Sequence, residues 1–478
     1  MHRATTVQTE TQVRRQSVAL SRDGRWICLL QYGADEKATL LVGSAAKAVA
    51  GCFTATLRTQ GRRILARFSW ENRLFHCTDD DLAAATVRIH DPALGQDDTM
   101  PLAVSPSEEV LGFVPVRGTG PEPALVAKVG TGTAVQLQLH ESGRSTVLTP
   151  TDRPVSIEAI TTTPLQPDNI WYAATGYDTP PSVHHIDLGR GSTAVYRAAA
   201  KRVNLSPLEQ IQTSYESFDG VRIPLTLLGQ PGLLDRRAPT ILYVYGGFRT
   251  ALLPRYMAAP SLWTSAGGTY AIAHVRGGGE FGPAWHHAGS GDAKLVSVRD
   301  YLAAAHRLIE LEICRPDQLV GEGESNGGLV VAAALTTEPA LLGVALITSP
   351  VTDLLRFHQS GAGRNWLAEY GNPDDPADRI LLRQQSPLHN VHPGVPYPAV
   401  LISSWSGDRR VDALHARKFC AALQDAGDGH RPTILQDVLA AGHGARTTAD
   451  GQSLAADRLA FAAHWTGLNL TDSPLIGH

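Results

Sequence analysis

Ser325 lies within the segment VGEGESNGGLVV, where glycines stand on both sides of a residue that can act as a nucleophile. Each glycine costs a helix about 1 kcal/mol relative to alanine, so this crowding predicts a tight turn rather than a helix interior. Residues Gly323 to Gly327 fit the pattern G-x-S-x-G, with the apolar stretch QLV before them and GGLVVAAAL after them. A strand, a sharp turn and a helix in this order are typical of a turn that exposes a serine hydroxyl at the carboxyl edge of a sheet.

A serine hydroxyl is a weak nucleophile at neutral pH, so it needs a histidine to take its proton and a carboxylate to orient that histidine. In this architecture the acid and then the histidine follow the serine, each in a loop after a later strand. Asp408 ends the stretch PAVLISSWSGD, and His443 lies in AGHGA after the stretch PTILQDV. The sequence therefore predicts a catalytic triad of Ser325, Asp408 and His443. We expect no metal and no cofactor, because triad chemistry needs neither.

Other histidines of this half lack a spacing to carboxylates that would indicate a metal site. They are His286, His287, His389 and His415. We interpret each of them as a structural or exposed histidine.

The second half of the chain predicts the elements that would hold such a triad. After about Asn204, apolar stretches such as APTILYVYGG, TYAIAHV, GVALITSP and PAVLISSW alternate with alanine-rich helical stretches. Near-continuous apolar strands separated by helices indicate a parallel sheet that is covered on both faces. We therefore predict an α/β-hydrolase catalytic domain over residues 204–478.

The first half, residues 1–203, has a different pattern. Short alternating strands such as SVAL, WICLLQY and AVQLQLH are separated by turn signals such as RDG and ESG, with no convincing amphipathic helix between them. The strand groups begin near Ser17, Arg63, Glu109 and Pro154. This period of roughly 40 to 45 residues suits four-stranded blades, so we predict an all-β, propeller-like domain of about four blades. A plain β-sandwich is the alternative.

Composition narrows the classes of partner. The 478 residues include 42 basic and 46 acidic ones, for a formal charge of −4, and long runs of one sign are absent from the sequence. This balance favours neither nucleic acid nor an anionic membrane as a partner. The first 20 residues lack the apolar core of a signal peptide, and the apolar runs are too short to span a membrane, so we expect a cytoplasmic protein. Five scattered cysteines predict buried thiols rather than disulfides or a zinc site.

Several blocks in order give the second half a wider resemblance: YVYGGF, VRGGGEFGPAWHHAG, GESNGG, SPLHNV, GDRRV and AGHGA. From YESFDGVRIPL to the end, the sequence resembles the catalytic domain of the prolyl oligopeptidase family of serine peptidases. The resemblance implies Ser325 as the nucleophile, His443 as general base and then acid, and Asp408 as its orienting partner. It also implies an oxyanion hole made of the Tyr245 hydroxyl and the Asn326 backbone N–H.

The same resemblance implies a pocket for proline and a contact to the substrate backbone. The implied substrate-binding residues are Phe248, Trp366, Tyr370 and Arg410. A flat apolar pyrrolidine ring suits an aromatic slot, because stacking buries its area without requiring a polar partner. The expected substrate is thus a short peptide or a peptide-like molecule.

The sequence also departs from the family. About 200 residues precede the hydrolase domain, where the family has a seven-bladed propeller and a longer chain. Glu324 stands where the family usually has glycine, and Gly407 where histidine is common. A negative charge beside the nucleophile would favour a substrate with a free amine.

Three functions are compatible with these residues. The first is a serine peptidase that cleaves short peptides after proline through an acyl-enzyme. The second uses the same triad as an acyl transferase or peptide macrocyclase, or as an esterase or thioesterase, in a biosynthetic pathway; how well the closed site excludes water decides between them. The third is an interaction protein with a decayed hydrolase domain.

Overall fold

The computed structural model describes residues 15–32, 38–50, 55–61, 63–105, 108–149, 154–163, 165–198, 208–438, 442–444 and 448–470. The chain divides into two compact units. The first comprises residues 1–200 with 253–255, and the second comprises residues 201–252 and 256–478.

The described residues of the N-terminal unit form four antiparallel sheets of four consecutive strands each. The first sheet is β1 (Arg15–Leu20), β2 (Trp26–Tyr32), β3 (Ala38–Ser44) and β4 (Ala55–Gly61), and the second is β5 (Ile64–Phe68), β6 (Leu74–Thr78), β7 (Thr86–Asp91) and β8 (Gln96–Pro101). The third is β9 (Glu109–Val116), β10 (Ala124–Gly130), β11 (Val135–Glu141) and β12 (Arg144–Val147), and the fourth is β13 (Ser156–Thr163), β14 (Gln166–Thr175), β15 (Ser182–Asp187) and β16 (Ser192–Arg197).

Alternating apolar residues pack each sheet of this unit against the next. Along β10, Leu125, Ala127 and Val129 join the core shared with the second sheet. Their neighbours Ala124 and Val126 join the core shared with the fourth sheet. Because successive side chains of a strand point to opposite faces, one buried strand can serve two cores. Four such sheets confirm the prediction of an all-β, propeller-like unit of about four blades.

Two short helices interrupt these strands, α1 (Ala45–Val49) and α2 (Asp79–Ala83). At the start of α2, the Thr78 hydroxyl accepts a hydrogen bond from the Asp81 N–H, and the Asp81 carboxylate accepts one from the Thr78 N–H. Such a reciprocal cap stabilises one turn of helix by itself. A five-residue helix is too short to show a helical hydrophobic period, which explains why the sequence did not predict it.

The second unit is built on one eight-stranded sheet with the order β17-β18-β20-β19-β21-β22-β23-β24. Its strands are β17 (Glu209–Glu216), β18 (Arg222–Gly229), β19 (Thr240–Val244), β20 (Thr269–Ala273), β21 (Leu319–Glu324), β22 (Val344–Thr348), β23 (Ala399–Trp405) and β24 (Thr433–Val438). Within the sheet, each pair of neighbouring strands from β20 through β19 to β24 is parallel. At the other edge, β17 pairs antiparallel with β18, and β18 pairs antiparallel with β20.

Helices cover both faces of this sheet. The helices that the structure describes in this unit are α3 (Ala258–Ser265), α4 (Gly282–His287), α5 (Lys294–Glu310), α6 (Asn326–Thr337), α7 (Leu367–Tyr370), α8 (Pro376–Gln385), α9 (Leu414–Ala426) and α10 (Thr448–Thr466). Ala345 and Ile347 of β22 face a core shared with α5, α6 and α9, while Leu346 between them is also buried. Burial of both faces explains the continuous apolar strands, and it confirms the predicted α/β domain.

Two further expectations concern cysteines and membranes. Cys28, Cys77, Cys314 and Cys420 are buried free thiols, and Cys52 lies outside the described residues. Among the helices that the structure describes, none combines the length and the apolar character needed to cross a membrane.

Candidate active site

Ser325 occupies the turn between β21 and α6. Its φ of 56° and ψ of −116° lie outside the regions that non-glycine residues favour. The turn is held from both sides, because the Ser325 N–H donates to the Thr348 carbonyl at 2.8 Å and the Ser325 carbonyl accepts from the Leu329 N–H at 3.2 Å. Its side chain is half-buried at the carboxyl end of the strand.

The glycines around Ser325 are required by close backbone contacts. A Cβ added to Gly323 would stand 2.2 Å from the Gly327 carbonyl oxygen, and one added to Gly327 would stand 2.2 Å from the Val244 oxygen. No side chain fits at either distance without moving the backbone. The motif therefore lets helix α6 start directly against strand β19.

Asp408 and His443 meet in the loops that follow β23 and β24. The His443 Nδ1 lies 2.6 Å from Asp408 Oδ2, and Asp408 Oδ1 accepts the backbone N–H groups of Arg410 at 2.7 Å and Val411 at 3.1 Å. Burial raises the pKa of Asp408, but these hydrogen bonds and the histidine outweigh it and hold the pKa below its usual value. The carboxylate is therefore ionised and fixed in orientation. The described residues show no hydrogen bond between Ser325 and His443.

Tyr245 directly follows β19, which pairs with β21, so its side chain lies beside the serine turn. The pKa of the Tyr245 phenol is raised, and burial is the main cause. Glu369 raises this pKa further, while the Arg410 charge and Ser325 lower it by less. The Tyr245 carbonyl accepts a hydrogen bond from the Asn326 side chain. The Asn326 N–H is the first of helix α6, where backbone donors lack intrahelical acceptors.

Phe248, Trp366 and Tyr370 form one aromatic group. Phe248 meets Trp366 with ring centroids 6.2 Å apart and Tyr370 at 5.7 Å, and Trp366 lies 6.3 Å from Tyr370, all edge to face. Trp366 and Tyr370 are buried and Phe248 is partly exposed. The Tyr370 hydroxyl donates to Asn326 Oδ1 at 3.1 Å, so this tyrosine also supports the residue after the nucleophile.

The charges of two residues, Arg410 and Glu324, act on Tyr245. The Arg410 side chain is exposed, while its carbonyl accepts the Ala362 N–H at 3.0 Å and so ties its loop to the loop before Trp366. Glu324 is half-buried, and its charge acts on the tyrosines of the neighbouring strand: burial raises the pKa of Tyr243 and Glu324 raises it further.

A buried charged group next to these residues was not predicted. Glu369 Oε1 accepts the Phe248 N–H at 3.0 Å and Lys294 Nζ at 2.8 Å, and its Oε2 lies 2.8 Å from His286 Nε2. Lys294 Nζ also donates to the Gly246 carbonyl at 2.9 Å. The members are separated by up to 83 residues, so no local spacing signals them.

Within the described ranges, no group of three or more histidine, cysteine or acidic residues could hold a metal ion. The functional groups that the structure describes at this site are a serine, a histidine–carboxylate pair, a tyrosine hydroxyl and an aromatic group. Such a set can form and break an acyl-enzyme.

Comparisons with known proteins extend this interpretation. Residues 254–469 match the model of the prolyl oligopeptidase family. The chain is 35% identical over 302 residues to the prolyl endopeptidase of Elizabethkingia miricola. The matched residues cover 63% of this chain and 43% of that protein. It is 34% identical over 308 residues to the dual function macrocyclase-peptidase of Galerina marginata, which covers 62% of this chain and 42% of that protein. The chain thus spans about two fifths of the length of these curated relatives.

Solved structures show the same fold over nearly the whole chain. A prolyl endopeptidase structure matches with a TM-score of 0.82 and 28% identity, over 95% of this chain and 66% of that one. Prolyl oligopeptidase B from Galerina marginata, bound to a 25mer macrocyclization substrate, matches with a TM-score of 0.84 and 25% identity, over 98% of this chain and 66% of that one. Over residues 254–469, the chain is therefore similar to the prolyl oligopeptidase family of serine peptidases.

Proposed function

We propose that the chain is a serine peptidase that cleaves short peptides on the carboxyl side of proline through an acyl-enzyme. The hydrogen bond between His443 and Asp408, at the sheet edge that also carries Ser325, is the observation that supports this proposal most strongly. Relatives named prolyl endopeptidase give it a substrate class. A cytoplasmic location and the absence of nucleic-acid partners stay predictions from the sequence.

In the proposed mechanism, the Ser325 hydroxyl attacks the carbonyl carbon of the substrate's proline residue, and His443 takes the hydroxyl proton. Asp408 holds the imidazole in the tautomer that presents Nε2 to the serine, because Nδ1–H donates to the carboxylate. His443 then gives the proton to the leaving amine, and water repeats the sequence on the acyl-enzyme. The Tyr245 hydroxyl and the Asn326 N–H donate to the oxyanion of each tetrahedral intermediate.

The aromatic group supports the preference for proline. Trp366 and Phe248 are arranged edge to face, and Phe248 is the member that is most exposed. A pyrrolidine ring placed on Trp366 loses water contact without leaving a polar group unpaired. In this proposal Tyr370 closes the floor of the slot, and the exposed Arg410 guanidinium binds the carbonyl that precedes proline.

Acyl transfer is the alternative, and one observation favours it. Two relatives are named dual function macrocyclase-peptidases, and they are 34% and 32% identical to this chain. Capture of the acyl-enzyme by an amine would give a cyclised or ligated peptide. An ester or thioester substrate would use the same triad.

Labelling with a fluorophosphonate, followed by peptide mapping, tests whether Ser325 is an activated nucleophile. The proposal predicts one labelled residue, Ser325, in the native protein and none in the Ser325→Ala or heat-denatured protein. His443→Ala should label at least about 100-fold more slowly, since the serine then lacks its base. Native protein that does not react would support the third function, an interaction protein with a decayed hydrolase domain.

A further inference from the structure

Lys294 and Glu369 form a buried ion pair beside the candidate oxyanion hole. Their side chains are 2% and 5% exposed, and their charged atoms lie 2.8 Å apart. Burial raises the pKa of Glu369, but Lys294, His286 and the Phe248 N–H outweigh it and lower the pKa. Burial lowers the pKa of Lys294, and Glu369 offsets only part of this effect.

Both charges contact the backbone of the turn that follows β19. Lys294 donates to the Gly246 carbonyl, and Glu369 accepts the Phe248 N–H. Hydrogen bonds to charged groups are roughly twice as strong as those between neutral groups. Together with the Asn326 side chain on the Tyr245 carbonyl, they fix three backbone groups within four residues.

This turn needs such support because its backbone is strained. Gly246, Phe248 and Arg249 have φ values of 61°, 54° and 52°. Non-glycine residues in this region are energetically unfavourable, and they persist only where the surroundings hold them. Phe248 is both strained and bonded to the buried carboxylate.

Stability alone does not explain the pair. Placing two charges in the interior costs several kcal/mol per ion, and a hydrophobic pair of similar volume is often as stable. What the charges provide instead is a directed contact to each side of the turn. Glu369 also precedes Tyr370, so the same residue connects the turn to the aromatic group.

We propose that Lys294 and Glu369 are positioning residues that hold the turn of residues 245–248, so that one ion pair places the Tyr245 hydroxyl. This inference rests on the proposed function, since it assigns the turn a role in that reaction. Neither residue touches the substrate. The loss of either one should act through Tyr245.

A double-mutant cycle between Glu369→Gln and Tyr245→Phe tests this inference. The assays are cleavage of a chromogenic proline peptide and the second-order rate of Ser325 labelling by a fluorophosphonate. Glu369→Gln alone should lower kcat and the labelling rate at least about 10-fold, with KM changed less than about threefold, because the lost interaction acts in the transition state. In the Tyr245→Phe background, the same change should cost less than about twofold.

Glu322→Gln is the matched control. Glu322 is a buried carboxylate in strand β21 that pairs with Arg458. It also accepts a hydrogen bond from the Tyr270 hydroxyl at 2.9 Å. Its substitution removes the same charge without contacting the turn, so its effect should be the same in both Tyr245 backgrounds. Thermal melting of all variants checks that they are folded.

Lys294→Met provides a second variant if Glu369→Gln does not fold. Equal kcat in folded variants and wild type, or full additivity with Tyr245→Phe, would overturn the inference, as would failure of both variants to fold. The labelling rate reports the positioning even when the chromogenic peptide is not a substrate. Wild-type protein that neither cleaves nor labels would instead overturn the proposed function.

Discussion

At the scale of single residues, Tyr245 and Ser325 follow neighbouring strands, and Ser325 is one of the groups that act on the pKa of Tyr245. An ordinary tyrosine is already protonated at neutral pH, and the raised pKa of Tyr245 strengthens this state, so the hydroxyl keeps the proton that the proposed contact to an oxyanion requires. Asp408 has the opposite property: its lowered pKa keeps it charged next to His443. Both shifts move the group further toward the protonation state that the proposed reaction requires.

Trp366→Ala tests the proline slot. The variant should lose about 10-fold to 100-fold in kcat/KM for a proline peptide and less than about threefold for a small non-proline ester, because only the pyrrolidine ring uses the indole face. Steady-state rates on both substrates measure the difference. Equal losses on the two substrates would contradict a proline slot at Trp366.

Glu324→Gln tests the charge beside the nucleophile. Glu324 lies on the strand end that carries Ser325, and its charge reaches Tyr243 and Tyr245. We expect the substitution to reduce the preference for peptides with a free amino group over their acetylated counterparts by about threefold to 10-fold, since an attractive charge is removed. Competition between the two peptides in one tube gives this ratio, and an unchanged ratio would contradict the hypothesis.

The sequence predicted some of these residues and not others, for a physical reason. Ser325, Asp408 and His443 each follow a strand at the carboxyl edge, so chain order and local pattern suffice to select them. Lys294 and Glu369 are joined only by the fold. His286 also reaches the Glu369 carboxylate only through the fold, with its Nε2 2.8 Å from Oε2.

At the scale of elements, the contact between β19 and α6 leaves no room for a side chain at Gly327. Gly327→Ala should lower the melting temperature by about 5 °C or more, because its Cβ would stand 2.2 Å from the Val244 carbonyl oxygen and must displace backbone. Differential scanning calorimetry measures the shift.

Gly112→Ala is the control for that substitution. Gly112 lies in β9, and a Cβ added there meets no atom within 4 Å. It should melt within about 2 °C of wild type. A Gly327→Ala protein as stable as this control would contradict the packing argument.

Element boundaries could be predicted where the pattern was strong. The predicted starts near Ser17, Arg63, Glu109 and Pro154 lie within two residues of the first strands of the four sheets. Short helices such as α2 and α7 depend on caps and on tertiary packing, which leave little periodic signal in the sequence.

At the scale of the whole molecule, buried histidines make stability depend on pH. Burial lowers the pKa of His76 and of His415 to about 4, and they belong to different units. Around His76, Asp81 and Asp97 raise the pKa, while His90 and Arg88 lower it. The unfolded chain binds protons with a pKa near 6.5, so protonation favours unfolding between about pH 6.5 and pH 4.

The contribution that each of these histidines makes to the free energy of unfolding is therefore fully present above about pH 6.5. It is lost as the pH falls toward 4, by up to about 3 kcal/mol for each histidine. His415→Asn should reduce this loss, because the asparagine oxygen can accept the Asp353 N–H that Nδ1 now accepts at 3.1 Å. Chemical denaturation at pH 7 and pH 5 measures the change. A wild-type midpoint that is the same at both pH values would contradict it.

The described residues of the β unit form four sheets, and the chain covers 66% of the prolyl endopeptidase structure that it matches. The length of peptide that the protein accepts is best measured together with the type of reaction. Purified wild-type and Ser325→Ala proteins should be incubated with proline-containing peptides of graded length, and the products weighed by mass spectrometry. The account predicts fragments that end in proline and are formed only by the wild type. The two products of each cut should together be one water heavier than the intact peptide. Products that have lost water or joined without hydrolysis, or peptides left intact by both proteins, would contradict a proline-specific peptidase.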